Sequence, residues 1–184
     1  IVLNNDNEDV GLFSGFPADK KMTYGTKPPA DLVAENIMAG PAGVSFFIGS
    51  ERYVLKTLGS FNVPNALAAI AAATALGIDS DFIKKGLDSI GNVPGRMEAI
   101  DANQTFSVFV DYAHDKGSLE SALKAANELR PMADSRVIAV IGAEGGGRDK
   151  KKRPLMGELA ARLADYVVVT NVDPYDDDPL EILE

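Results

Sequence analysis

The 184 residues carry 18 basic and 27 acidic side chains, a net charge of −9, with 46% apolar and 24% charged residues, as in an ordinary globular chain rather than a disordered one. Cysteine is absent and His114 is the single histidine, which excludes disulfides, thiol nucleophiles and multi-histidine metal sites; the acidic balance argues against nucleic-acid binding. The longest apolar run, Ala66 to Leu76, is too short to cross a bilayer and no basic-then-apolar segment opens the chain, so a cytoplasmic protein with no membrane partner is expected.

The elements follow in chain order. Ile1–Asn4 reads as a buried strand already under way, and Leu180–Glu184 as the first turns of a helix with no C-cap. Both ends read as cuts, and an internal piece of a longer protein is expected. Lys21–Gly25, Asp31–Met38, Val44–Ile48 and Arg52–Leu55 are predicted strands, the last two joined by Gly49-Ser50 as a hairpin turn. The alanine-rich segment Asn62–Leu76 predicts a helix capped by Ser60 and ended by Gly77. A second helix runs from Asp79 or Ser80 to about Ile90. The turn residues Gly91-Asn92-Val93-Pro94-Gly95 then mark a boundary, giving domains 1–94 and 95–184.

Beyond it the rhythm changes. Thr105–Val110, Arg136–Ile141 and Tyr166–Thr170 read as strands alternating with helices at 118–129 and 154–164. This βαβαβ order predicts an α/β fold with a parallel sheet, in which ligands sit beyond the carboxyl ends of the strands. Three polar loops fall there: 111–117, 142–153 and 171–178. Charge is segregated among them: Arg148–Arg153 holds five bases and one acid, Asp173–Glu184 six acids and no base.

Each loop admits a functional and a plain structural reading. Gly145-Gly-Gly-Arg148 before a helix is either an anion cradle of backbone N–H groups backed by the helix dipole or a flexible turn before a solvated lysine run. It is neither a Walker A loop nor Gly-x-Gly-x-x-Gly. Asp111 either accepts from ribose hydroxyls or caps its loop, with His114 a surface residue. Arg96 either reaches a phosphate or pairs with Glu98. Asn62 and Asn65 either bond a base or act as helix-start caps, and the Ala66–Leu76 stripe is core packing.

An ordered set of phrases resembles one family. Leu3-Asn-Asn-Asp6, Phe61-Asn-Val-Pro-Asn65-Ala-Leu-Ala-Ala, Val93-Pro-Gly-Arg-Met-Glu98, Val110-Asp-Tyr-Ala-His114, Gly145-Gly-Gly-Arg-Asp149, Lys152-Arg-Pro-Leu-Met-Gly157 and Ala164-Asp-Tyr-Val-Val-Val-Thr170 look like the Mur ligases. Within them they look like the UDP-N-acetylmuramoyl-tripeptide synthetases, the branch that adds the third residue of the peptidoglycan stem peptide. Folylpolyglutamate synthases share the architecture but usually carry Asp-Gly-Ala-His, and the alanine-adding branch lacks Lys-Arg-Pro-Leu-Met-Gly-Glu.

The resemblance implies the later part of a central ATPase domain at 1–94, then the first part of a Rossmann-like C-terminal domain at 95–184. It implies an ATP-dependent ligase that phosphorylates the carboxylate of UDP-N-acetylmuramoyl-dipeptide and couples a free amino acid through an acyl phosphate, with Mg2+ shielding the phosphates. By position, Asp111 would hold the ATP ribose, Arg96 and His114 would lie near the nucleotide, and Asn62 and Asn65 near the adenine. Arg148 would bind the carboxylate of the incoming amino acid.

The resemblance also implies departures. The family's phosphate loop, Mg2+ ligands and modified lysine, and its Gly-Lys-Gly-His-Glu stretch, have no counterpart here, so no catalysis by these 184 residues alone is expected. Enzymes adding meso-diaminopimelate typically read Asp-Asp-Asn-Pro-Arg where this chain has Asn171-Val172-Asp173-Pro174-Tyr175. Tyrosine in place of that arginine, followed by Asp176–Asp178, predicts an L-lysine-like substrate with Asp173 the contact, unless the three acids only start a helix. The rival expectation is a non-catalytic Mur-ligase-like binding module or partner subunit.

Overall fold

The computed structural model describes residues 1–183. The chain divides into two compact units between Ala99 and Ile100.

In the first unit β1 (Val2–Asn4), β2 (Met22–Gly25) and β3 (Leu32–Val33) form a parallel sheet in the order β1-β2-β3. A short α1 (Val10–Ser14) follows β1. The antiparallel meander β4 (Glu35–Gly40), β5 (Gly43–Ile48) and β6 (Glu51–Leu55) comes next. The predicted single strand over Asp31–Met38 is therefore two, because the chain changes sheets at the buried Ala34. Gly43 is required where the meander turns: its φ is +115°, and a Cβ there would lie 2.0 Å from the Leu55 carbonyl oxygen.

Helices α2 (Asn62–Ala75) and α3 (Ser80–Ser89) supply the rest of the core. Phe46, Val63, Leu67, Ile70, Ile83 and Leu87 are buried together, and Tyr53 stacks on Phe46 at 5.5 Å. Removing a ring as buried as Phe46 costs about 3–5 kcal/mol. The N-cap of α2 is Phe61 rather than Ser60, with no side-chain cap bond, since Ser60 lies one residue too early. Gly77 does end α2, at φ +78°, letting the Ile78 N–H reach back to the Ala73 carbonyl at 3.0 Å. Asp79 caps α3 by accepting from the Asp81 N–H. Ile1 is exposed and Val2–Asn4 only half-buried, so β1 is not the buried strand expected.

β7 (Glu98–Ile100) lies across the point of division. The second unit contains β8 (Val108–Val110), α4 (Lys116–Glu128), β9 (Ile138–Ile141), α5 (Lys152–Leu163), β10 (Tyr166–Val169) and α6 (Pro179–Leu183). β9 and β10 pair in parallel, Ile138 opposite Tyr166 through Ile141 opposite Val169. One face of this pair is covered by α4 and α5, through Leu119, Leu123, Val137, Ala139, Met156, Leu159 and Ala160. Ile138, Val140, Tyr166 and Val168 on the alternate positions are exposed.

The expected third parallel strand is only partly present. β8 begins at Val108 rather than Thr105 and does not pair with β9. The Gln104 side chain closes a turn ahead of it, accepting from the Ala102 N–H and donating to the Ile100 carbonyl, both at 2.6 Å. The helix expected over 180–184 is α6; Glu184 lies outside the described residues.

Candidate functional site

In the second unit, the loops after β8, β9 and β10 carry the polar residues, and α4 and α5 begin beside the first two. The loop after β8 is held by its own side chains. Asp111 Oδ1 accepts from the Ala113 N–H at 2.9 Å. The His114 ring packs against Tyr112 with centroids 5.1 Å apart, and its Nδ1 lies 3.0 Å from the Tyr112 carbonyl oxygen. Asp115 and Ser118 form a reciprocal capping box that starts α4. The Ser118 N–H, beside Asp115, holds that carboxyl below its ordinary range.

The loop after β9 is joined to the loop after β10 by main chain. The Gly145 N–H donates to the Asp173 carbonyl at 2.8 Å, and Glu144 and Asp173 form a parallel bridge. Glycine is needed for this approach: a Cβ on Gly145 would lie 2.0 Å from the Pro174 oxygen. Gly146 adopts φ +63° beneath the Tyr175 ring, where a Cβ would come within 2.8 Å of Cδ2. One of the three glycine N–H groups of the expected anion cradle is therefore already committed to protein.

Charged side chains tie the same loops. Glu144 lies 3.8 Å from Arg148 Nε and 4.0 Å from Lys152 Nζ. Arg153, only 11% exposed, donates to the Glu144 carbonyl at 3.0 Å and to Asp177 at 3.3 Å. Lys150 lies 3.9 Å from Asp177, and Asp178 accepts from the Leu180 N–H at 2.9 Å. Asp177 and Asp178 thus have cation and backbone partners within the fold. Lys152 Nζ also donates to the His114 carbonyl at 2.8 Å.

The structure brings Arg148, Asp173 and Tyr175 together across two bridged loops, and ties His114 to them through Lys152. In the first unit Asn62 and Asn65 are neighbours: Asn65 Nδ2 donates to Asn62 Oδ1 at 3.2 Å, while Asn62 Nδ2 donates to the Leu58 carbonyl at 2.8 Å. The Arg96 N–H closes a turn on the Val93 carbonyl, and the Glu98 carboxylate accepts from the Gly95 N–H at 2.8 Å. Sequence reasoning missed Glu144 and did not pair Lys152 or Arg153 with a partner, while Asp177 was read only as part of an acidic run. The signals for them are the spacing of Glu144, Arg148 and Lys152, four residues apart, and the opposite charge of the two loops.

Among the described residues no group of three or more His, Cys, Asp or Glu could hold a metal ion, and no helix is long and apolar enough to cross a membrane.

Residues 95–184 match the family model "Mur ligase, glutamate ligase domain". Over 186 residues the chain is 41% identical to the UDP-N-acetylmuramoyl-L-alanyl-D-glutamate–2,6-diaminopimelate ligase of Geobacillus kaustophilus, covering 99% of this chain and 37% of that protein. A solved structure of a ligase of the same name superposes with a TM-score of 0.62 at 32% identity, over 98% of this chain and 38% of the other. MurF ligase from Thermotoga maritima, solved in complex with ADP, matches with a TM-score of 0.68 at 17% identity, over 96% of this chain and 40% of that one, a likeness of fold. The chain spans a little over a third of the length of the curated relatives it matches.

Proposed function

Since the chain belongs to the Mur ligase family, we propose that it is part of an ATP-dependent ligase that adds the third amino acid to UDP-N-acetylmuramoyl-dipeptide in peptidoglycan synthesis. Residues 1–94 are then the later part of a central ATP-binding domain and 95–184 the first part of a Rossmann-like C-terminal domain. The observation that carries the reading is local: Arg148 sits on a loop bridged by main chain to Asp173 and Tyr175, beyond the carboxyl ends of two parallel strands.

The chemistry divides among these residues. The dipeptide carboxylate takes the γ-phosphoryl group of ATP. The amino nitrogen of the incoming amino acid then attacks the acyl carbon, the carbon–oxygen bond to phosphate breaks, and the nitrogen loses its proton as the amide forms. Arg148, with a planar fork of donors, holds the α-carboxylate of that amino acid so that its amino group faces the acyl carbon. Asp111 accepts from the ATP ribose, and Arg96 and His114 lie near the nucleotide. Asn62 and Asn65 lie near the adenine. The described residues offer no Mg2+ ligand set. A reaction that consumes ATP and acts on a UDP-linked substrate goes with a cytoplasmic location.

Two readings of the amino acid have separate support. The names of the curated relatives favour 2,6-diaminopimelate. Tyr175 at the position of the expected arginine favours a side chain without a distal carboxylate, L-lysine-like, with Asp173 as its contact.

The test is an assay of the complete ligase with ATP, UDP-N-acetylmuramoyl-dipeptide and each amino acid, following ADP release and the amide product by mass spectrometry. A raised KM for the amino acid, with turnover reduced but measurable, is expected in Arg148→Ala. Binding of the dipeptide with no ADP release from the intact protein would favour a non-catalytic module instead.

A further inference from the structure

We propose that Glu144 is a positioning residue for Arg148 in the subsite for the amino acid's carboxylate, an inference that rests on the reading of Arg148 above. Its side chain is 29% exposed and faces two cations four and eight residues on, Arg148 at 3.8 Å through Nε and Lys152 at 4.0 Å. Its own main chain is fixed on both sides. The Glu144 carbonyl accepts from Arg153, itself braced by Asp177, and the next N–H is bonded to the Asp173 carbonyl. The carboxylate therefore projects from an anchored point, whereas Arg148 follows two glycines of positive φ, Gly146 and Gly147, and its side chain is 59% exposed.

An arginine on so pliable a turn spends its rotamer freedom when it grips a substrate. An anchored carboxylate on the Nε edge spends part of it in advance. Guanidinium has five N–H donors, so an ion pair at Nε leaves the two terminal nitrogens for bidentate contact with a carboxylate. The same carboxylate keeps Lys152, which is bonded to the His114 carbonyl, from competing for the substrate's negative charge.

In the complete ligase, Glu144→Gln keeps the shape and removes the charge. The KM for the amino acid is expected to rise about three- to fivefold, as loss of a partly exposed ion pair implies, with kcat and the KM for ATP unchanged. Glu144→Asp keeps the charge and restores at least half of the affinity. In an Arg148→Ala background, Glu144→Gln adds no further rise, because the interaction is already gone. An unchanged amino-acid KM in Glu144→Gln overturns the proposal, as does a full extra rise in the Arg148→Ala background. So does a parallel fall of kcat, both affinities and melting temperature, which marks a merely structural residue. If Arg148→Ala alone leaves the amino-acid KM unchanged, the assignment of Arg148 itself is wrong and that of Glu144 falls with it.

Discussion

Lys152 Nζ donates to the carbonyl oxygen of His114 at 2.8 Å across 38 residues of sequence. The first residue of one helix thereby holds the loop that precedes another. The two loops assigned to nucleotide and amino acid are separate in the chain, and this contact gives them a common reference point.

Lys152→Met removes that tie while keeping most of the aliphatic stem. With the side chain only 18% exposed, the chain is expected to lose about 1–2 kcal/mol of unfolding free energy. Urea denaturation of the 184 residues with and without the substitution measures it, and an unchanged midpoint would show that the contact contributes nothing.

Gly145→Ala attacks the bridge between the loops after β9 and β10. A Cβ 2.0 Å from the Pro174 oxygen forces main chain to move, a strain of about 1–3 kcal/mol. A lower melting temperature is expected, together with a weaker KM for the amino acid in the complete ligase. Gly147→Ala is a useful companion: nothing lies within 4 Å of its Cβ, so only its positive φ is penalised.

Asp111→Ala in the complete ligase is expected to weaken the KM for ATP by about tenfold or more, from roughly 1.5–3 kcal/mol of charge-assisted hydrogen bonding, with a smaller effect on the amino acid. Because Asp111 Oδ1 also holds the Ala113 N–H, Asp111→Asn serves as the control that keeps this acceptor. ATP saturation unchanged in both variants would remove the ribose role.

Tyr175→Arg tests selectivity. Tyr175 already occupies φ +51°, so arginine meets the same backbone strain and the comparison isolates the side chain. The ratio of kcat/KM for meso-diaminopimelate over L-lysine is expected to rise about tenfold or more, from a new charge-assisted contact to the distal carboxylate. Faster turnover of the unmodified enzyme with meso-diaminopimelate would discard the lysine reading.

Asp165 supplies an acid-side dependence of stability. The Val137 N–H bonds its carboxylate at 2.8 Å and, with Arg130 at 2.6 Å and Arg136 nearby, holds it below its ordinary value of 3.8. A carboxyl depressed in the folded state stabilises above its unfolded pKa, and that contribution is lost as pH falls through the folded value. Melting temperature is expected to drop below about pH 4, and Asp165→Asn to flatten the drop. An equally steep acid limb in the variant would place the dependence on other groups.

The parts legible in the sequence are those whose cause is local. α2 announces itself through alanine content and the Gly77 stop, and the β5–β6 hairpin through Gly49-Ser50. The change of sheet at Ala34 was not legible, because apolar residues stand on both sides of it, Leu32-Val33 before and Ile37-Met38 after, and say nothing about which strand is the partner. Likewise β8 looked longer than it is, since the turn closed by Gln104 depends on a side chain reaching back rather than on pattern. Asp111, Arg148, Asp173 and Tyr175 could be placed on loops after strands. The bridge from Gly145 to Asp173 could not, because a glycine that permits close main-chain approach does not reveal which strand or loop approaches it. The ion web around Glu144 and Asp177 needed the folded loops, apart from its i,i+4 spacing.

That bridge also bears on how such a site can be rewritten. The Gly145–Asp173 bond is made by a peptide N–H and a peptide oxygen, groups that every residue except proline supplies. Asp173 can therefore exchange its side chain while its frame stays where Gly145 holds it, and position 175 takes any residue that tolerates φ +51°. A library randomised at Val172, Asp173 and Tyr175, with Gly145 kept fixed, would sample new amino-acid preferences without having to refold the loop for each one.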